Sequence, residues 1–112
     1  MKNSFRRPAR FAGLYQRAVA GELTLDERQM RVSVAGIPVE LAPLEYRALA
    51  YLMHRVGRVV AQGELGEHIH GSADAYDSNA IEALIARIRR KIGGDIIKTR
   101  RGFGYIIEDA GP

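Results

Sequence analysis

Apolar residues recur at helical spacing over three stretches of this chain and alternate with polar ones over several others. Ile81, Ile85, Ile88 and Ile92 fall three to four apart, so residues 78–92 read as a helix with one buried stripe. The opposite face of that helix carries Asn79, Glu82, Ala83, Ala86, Arg87 and Arg90, small and polar at one end and cationic at the other, with Arg87 in its middle. Asp77, Ser78 and Asn79 compete as N-caps, and Gly93-Gly94 supplies a left-handed stop. Residues 96–99 and 105–107 are β-prone and are joined by Arg100-Arg101-Gly102-Phe103-Gly104, which makes a hairpin.

Upstream, residues 43–55 also read as a helix, with Tyr46, Leu49, Leu52, Met53 and Val56 facing inward and Pro43 at the first helical position. Gly57 ends it and Val59-Val60 adds a short strand. A further helix over 62–70 is anchored by Leu65 and Ile69, and a polar loop over 70–78 leads into the last helix. Residues 22–25, 30–34 and 37–41 alternate, with turn chemistry at Asp26-Glu27-Arg28 and Ala35-Gly36. They predict an antiparallel meander with one packed and one wet face. The first 20 residues are basic and weakly patterned and read as a linker or arm.

Length and apolar content, 112 residues at 46% hydrophobic, suit one domain with a modest core. The chain has no cysteine, which excludes a disulfide framework and thiolate metal sites and suits a reducing cytosol; a cytoplasmic protein is the expectation. No apolar run approaches membrane-spanning length. Ala18-Val19-Ala20 before Gly21 imitates a signal-peptide cleavage site, but Gln16 and Arg17 interrupt the apolar section too early for one. The distribution of charge matters more than the net +4. Arg87, Arg89, Arg90, Lys91, Lys98, Arg100 and Arg101 face only Glu82 and Asp95 between residues 79 and 101. Lys2, Arg6, Arg7 and Arg10 meet no acid in the first ten residues, which leaves the rest of the chain net acidic. Cations gathered on one helix and the hairpin after it suit a polyanion: the helix is slim enough for a major groove and the tip can reach a minor groove.

The runs IEALIARIRRKIG and IIKTRRGFGY resemble the end of the winged-helix effector domain of OmpR/PhoB-type response regulators. Those domains read V-D-V-x-I-x-R-L-R-x-K-L-G and then I-x-T-V-R-G-x-G-Y. Ser-Asn before the helix and Ile-Glu inside it are most similar to the PhoP-like branch. The likeness reaches back to about Gly21 and takes in the N-terminal meander, which winged helices generally lack and this branch has. It implies an α+β fold, a winged helix-turn-helix over residues 21–110 with an N-terminal β-meander, three helices and a C-terminal hairpin wing. Where the family opens its first two helices with Thr or Ser, this chain has Ala42 and Ala61. Glu45 and Glu64 keep the acidic half of each capping box, and each lost hydroxyl should cost about 0.5–2 kcal/mol. Gly63 in a first turn adds up to about 1 kcal/mol, so a fold of marginal stability is expected.

The resemblance also implies sequence-specific binding of double-stranded DNA by a two-component transcriptional regulator, with two copies head to tail on a direct repeat. Arg87 holds the position of the family's base-reading arginine and can chelate a guanine edge. Asn79 and Glu82 either read adenine and cytosine near the helix start or only cap it, as their own box. Ala83 and Ala86 allow close approach to the groove floor. Arg90, Lys91 and Thr99 suit phosphates. Arg101 matches the wing arginine of the family, but Arg100 replaces a customary valine and is kept as an alternative reader. Arg89 is a cation of the same run or a structural salt-bridge partner. Tyr105 belongs to the core. The loop over 70–78 would face RNA polymerase, and the family's phosphoacceptor lies in a receiver domain absent from this chain.

His54, His68 and His70 do not make a metal set: His68 and His70 fall on different helix faces, and His54 has no visible carboxylate partner. No nucleophile–base or paired-carboxylate arrangement suggests catalysis, and no cofactor is expected. Two rival readings remain: a nonspecific nucleic-acid binder, and a module that docks on RNA polymerase or a receiver and uses its arginines only for solubility.

Overall fold

The computed structural model describes residues 17–70 and 78–108. Its N-terminal half is a four-stranded antiparallel sheet in the order β1 (Arg17–Ala20), β2 (Leu23–Asp26), β3 (Arg31–Val34) and β4 (Ile37–Val39). The sequence pattern gave three of these strands. The fourth, β1, lies where the basic arm was expected to end; it pairs with β2 from Arg17↔Asp26 to Ala20↔Leu23. Arg17-Ala18-Val19-Ala20 is too short an alternation to stand out in the sequence, and only its pairing with β2 reveals it as sheet. Asp26 Oδ1 accepts the N–H groups of Arg28 (3.0 Å) and Gln29 (3.3 Å) and so closes the β2–β3 turn. Between β3 and β4, Ala35 and Gly36 both take positive φ (52° and 82°), the two-residue turn that follows the twist of a hairpin. Leu23, Leu25 and Val32 are buried on the inner face of this sheet.

Three helices follow: α1 (Pro43–Met53), α2 (Gln62–His70) and α3 (Ser78–Ile92). Pro43 opens α1 behind Ala42, whose N–H donates to Glu45 Oε1 at 3.0 Å, so the acidic half of the cap is made. The helix stops at Met53, short of the expected Arg55. Val56 therefore leaves the helical phase and is 36% exposed instead of packed. In α2 the first helical bond runs from Leu65 N to Ala61 O. Glu64 does not reach back as expected, because Tyr51 Oη and Arg58 Nη2 each donate to its Oε2 at 2.6 Å. In α3, Ser78 and Asn79 lie within the first turn and are not its N-cap; Asp77 and the loop over 71–77 fall outside the described residues, as do positions 1–16 and 109–112.

Ile81, Leu84, Ile85, Ile88 and Ile92 of α3 are buried against Leu49, Leu52 and Leu65 in one core. Gly93 ends α3 at φ +106°. The chain then forms a ribbon of β5 (Ile97–Arg100) and β6 (Gly104–Ile107), paired Ile97↔Ile107 through Arg100↔Gly104. Val60 adds an antiparallel bridge to Tyr105, with N–H···O bonds of 2.7 and 2.9 Å. That bridge brings Val60 so close that a Cβ on Gly104 (φ +145°) would stand 2.0 Å from the Val60 carbonyl oxygen. Only glycine fits there. Tyr105 is buried, as expected of a core residue.

Candidate nucleic-acid interface

At about 100° of rotation per residue, the arc of α3 opposite its buried isoleucines is held by Asn79, Ala83, Ala86 and Arg90. All four are exposed. Arg87 is exposed too, with 46% of its side chain open, but it is not in the middle of that arc as expected. It sits on the flank toward α1, because one further step round the helix carries it to the α1 side. Lys91 lies one turn further along the same flank. Both reach Glu45 of α1: Lys91 Nζ donates to Oε1 at 2.7 Å and Arg87 Nε to Oε2 at 3.3 Å. Glu45 is only 3% exposed. Burial pushes its carboxyl up, but the bonds from Lys91, the Ala42 N–H and Arg87, with the charge of Lys91, together hold it below the usual carboxylate range.

Glu82 lies on the other flank, toward the ribbon. It lines an open recess of about 390 Å³ together with Gln62 and the run from Thr99 to Tyr105. Helix and wing thus present one continuous surface. Arg89, half-buried between them, fixes the junction: its Nε (3.0 Å) and Nη2 (2.7 Å) donate to Ile97 O, and Nη2 also donates to Thr99 Oγ1 at 2.8 Å. Its role is structural, met by a carbonyl and a hydroxyl instead of the carboxylate expected. Thr99 can still donate its hydroxyl proton outward. Arg100 pairs with Glu108 at 2.7 Å along the ribbon, whereas Arg101 stands exposed in the turn, without an ion pair among the described residues. Between Gly102 and Gly104, Phe103 is 74% exposed, an apolar tip the sequence pattern did not single out. Glu45 was legible only as a capping residue, since its other partners lie 42 and 46 residues away.

His54 and His68 are exposed, but one expectation about them fails. His54, thought to lack a carboxylate, meets Glu27, which the β2–β3 turn carries alongside the end of α1. His68 lies 4.3 Å from the Tyr51 ring; partial burial, then the charges of Arg55 and Arg47, lower its pKa. No helix among the described residues is long and apolar enough to cross a membrane.

The profile of the family described as "Transcriptional regulatory protein, C terminal" matches residues 36–107, from the β3–β4 turn to the end of β6. The chain belongs to this family. Among curated proteins it is 40% identical over 94 residues to the response regulator protein PmrA of Pseudomonas aeruginosa, across 84% of this chain and 42% of PmrA. It is 38% identical over 105 residues to the two-component response regulator PhoP of the same organism, across 89% of this chain and 47% of PhoP. The PhoP-like branch is therefore one among several that this family member resembles, and the chain spans less than half the length of these relatives. Among solved structures, the DNA-binding domain of Klebsiella pneumoniae RstA in complex with the RstA box superposes with a TM-score of 0.75 at 25% identity, over 83% of this chain and 97% of that one. The fold is thus the winged helix that the motifs implied, built on a four-stranded sheet.

Proposed function

We propose that this chain is the effector domain of a two-component transcriptional regulator and binds double-stranded DNA sequence-specifically. In this reading α3 lies in the major groove and the β5–β6 wing reaches the adjacent minor groove. The observation that carries it is the single open recess shared by Glu82 of α3 and Thr99 to Tyr105 of the wing, flanked by exposed cations on both elements. RstA, seen with its box, offers a fold precedent for such docking.

Arg87 chelates a guanine, Asn79 and Glu82 read neighbouring bases, and Ala83 and Ala86 let the helix approach the groove floor. Asn79 inside the first turn of α3, not before it, favours reading over capping. Arg90, Lys91 and the Thr99 hydroxyl hold phosphates. Arg101 enters the minor groove, and Arg100, paired with Glu108, serves the outer edge of the wing. Two copies bind a direct repeat head to tail with half-sites about one helical turn apart. The loop over 70–78 meets RNA polymerase, and a receiver domain on the full-length protein carries the phosphorylation signal.

The test is a gel shift in moderate salt with duplexes enriched from a random-sequence pool. Enrichment of a direct repeat bound at least about 10³ times more tightly than scrambled duplex is expected. Salt-steep binding indifferent to scrambling would give the nonspecific reading instead, and no duplex binding at all would leave only the protein-docking one.

A further inference from the structure

Among the described residues one charged side chain is buried, and it sits beneath the proposed reader. Glu45 is 3% exposed, yet its two oxygens serve three donors. Oε1 takes the Ala42 N–H (3.0 Å) and Lys91 Nζ (2.7 Å), while Oε2 takes Arg87 through Nε (3.3 Å). The choice of nitrogen matters. A guanidinium offers a parallel pair of donors along its side, from Nε and one Nη, and another at its end, from the two Nη. With Nε turned to Glu45, the two terminal nitrogens of Arg87 have no partner among the described residues, and 46% of the side chain is open.

We infer that Glu45 is a positioning residue for base readout: it fixes the plane of the Arg87 guanidinium so that its terminal fork meets a guanine edge. This rests on the DNA-binding reading proposed above. A carboxylate at the side of the fork removes rotation about the last bonds of the arginine before DNA arrives, so less side-chain freedom is lost on binding. Its one charge is shared with Lys91, so both cations keep some pull on phosphate, and what sets Arg87 apart is the fixed direction of its two end donors. Arg90, exposed on the same helix, has no such carboxylate among the described residues. The fold thus separates one arginine for discrimination from one for general attraction.

The experiment enriches a duplex from a random pool with the wild-type chain, then measures Kd for every single-base-pair variant of it. Arg87→Ala should flatten the preference at one pair. Glu45→Gln keeps an acceptor for the Ala42 N–H but loses the charge. It should cut the guanine preference at that same pair roughly five- to tenfold, leave the other pairs unchanged, and give a salt slope no shallower than wild type. In the double variant, Glu45→Gln should add nothing at that pair beyond Arg87→Ala. Glu45→Asp, which keeps the charge on a shorter arm, should fall between and carries the comparison if Glu45→Gln fails to fold by thermal melting. The inference is overturned if Glu45→Gln keeps wild-type discrimination at the Arg87 pair, or lowers binding to all duplexes in equal proportion. If Arg87→Ala flattens no pair while the wild type still prefers its enriched duplex, the inference falls and DNA binding stands. If the wild type prefers no duplex over a scrambled one, the proposed function itself falls.

Discussion

Arg87 and Arg90 are three positions apart and carry the same charge, yet the fold treats them differently. Arg87 is tied to a buried carboxylate on α1, and Arg90 stands at the crown of α3 with no ion pair among the described residues. Their alanine variants should therefore fail in different ways. Arg90→Ala should weaken enriched and scrambled duplexes alike and flatten the slope of log K against log salt by about one unit. Arg87→Ala should lose about 1–3 kcal/mol of discrimination at a single base pair. Titrations of both duplexes at several salt concentrations separate the two; equal effects of both variants on every duplex would mean the roles are misassigned. From sequence, helical periodicity was enough to name the exposed set on α3, because it depends only on residues within one element. The tether under Arg87 was not legible, since a capping glutamate on one helix gives no sign of which cations a later helix will bring to it. His54 shows the same limit, its partner Glu27 being supplied by a distant turn.

At the scale of elements, the ends and turns hold most of the stability that the sequence left in question. Ala42 and Ala61 precede α1 and α2 without a hydroxyl, and the two helices differ in what remains. The Ala42 N–H is satisfied by Glu45, but Glu64 is occupied with Tyr51 and Arg58. Ala42→Thr and Ala61→Ser should each add about 0.5–2 kcal/mol, read as a rise in Tm by calorimetry. The wing tip is less forgiving. A methyl group on Gly104 meets the Val60 carbonyl at 2.0 Å and a φ that L-residues avoid, so Gly104→Ala should cost about 3 kcal/mol or more. Chemical denaturation would show it as a lower midpoint with an unchanged slope. The sequence marked Gly104 as a hairpin residue. It also marked Val59-Val60 as a short strand, which the Val60–Tyr105 bridge bears out; what it could not show is that this bridge would bring the Val60 carbonyl onto Gly104, a contact between distant parts of the chain. β1 escaped for a related reason: RAVA is legible as a strand only beside β2.

For the whole molecule, acid is the condition to which this fold is most exposed. The hydrogen bonds from Arg58 and Tyr51 hold the Glu64 carboxyl below its ordinary 4.5. Glu45 is also lowered, its bonds from Lys91, Ala42 and Arg87 outweighing its burial. Groups depressed in the folded state stabilise it above their unfolded pKa and lose that contribution as pH falls through the folded one. His68, depressed by partial burial and by Arg55 and Arg47, acts in the same direction from its unfolded value of 6.5 downward. Tm should be flat between about pH 7 and 9, decline gently through 6.5 and fall steeply below 4.5. A scan of Tm against pH checks this, and Glu45→Gln should soften the last step.

Arg89 has a consequence at this same scale. By gripping both Ile97 and Thr99 it makes helix and ribbon one rigid calliper whose jaws cannot be reset independently. In the proposed docking, the distance between the two places that would touch a duplex is then a property of the polypeptide, not of the promoter. Regulators built on such a frame would acquire new targets by exchanging fingertips, never by changing their span.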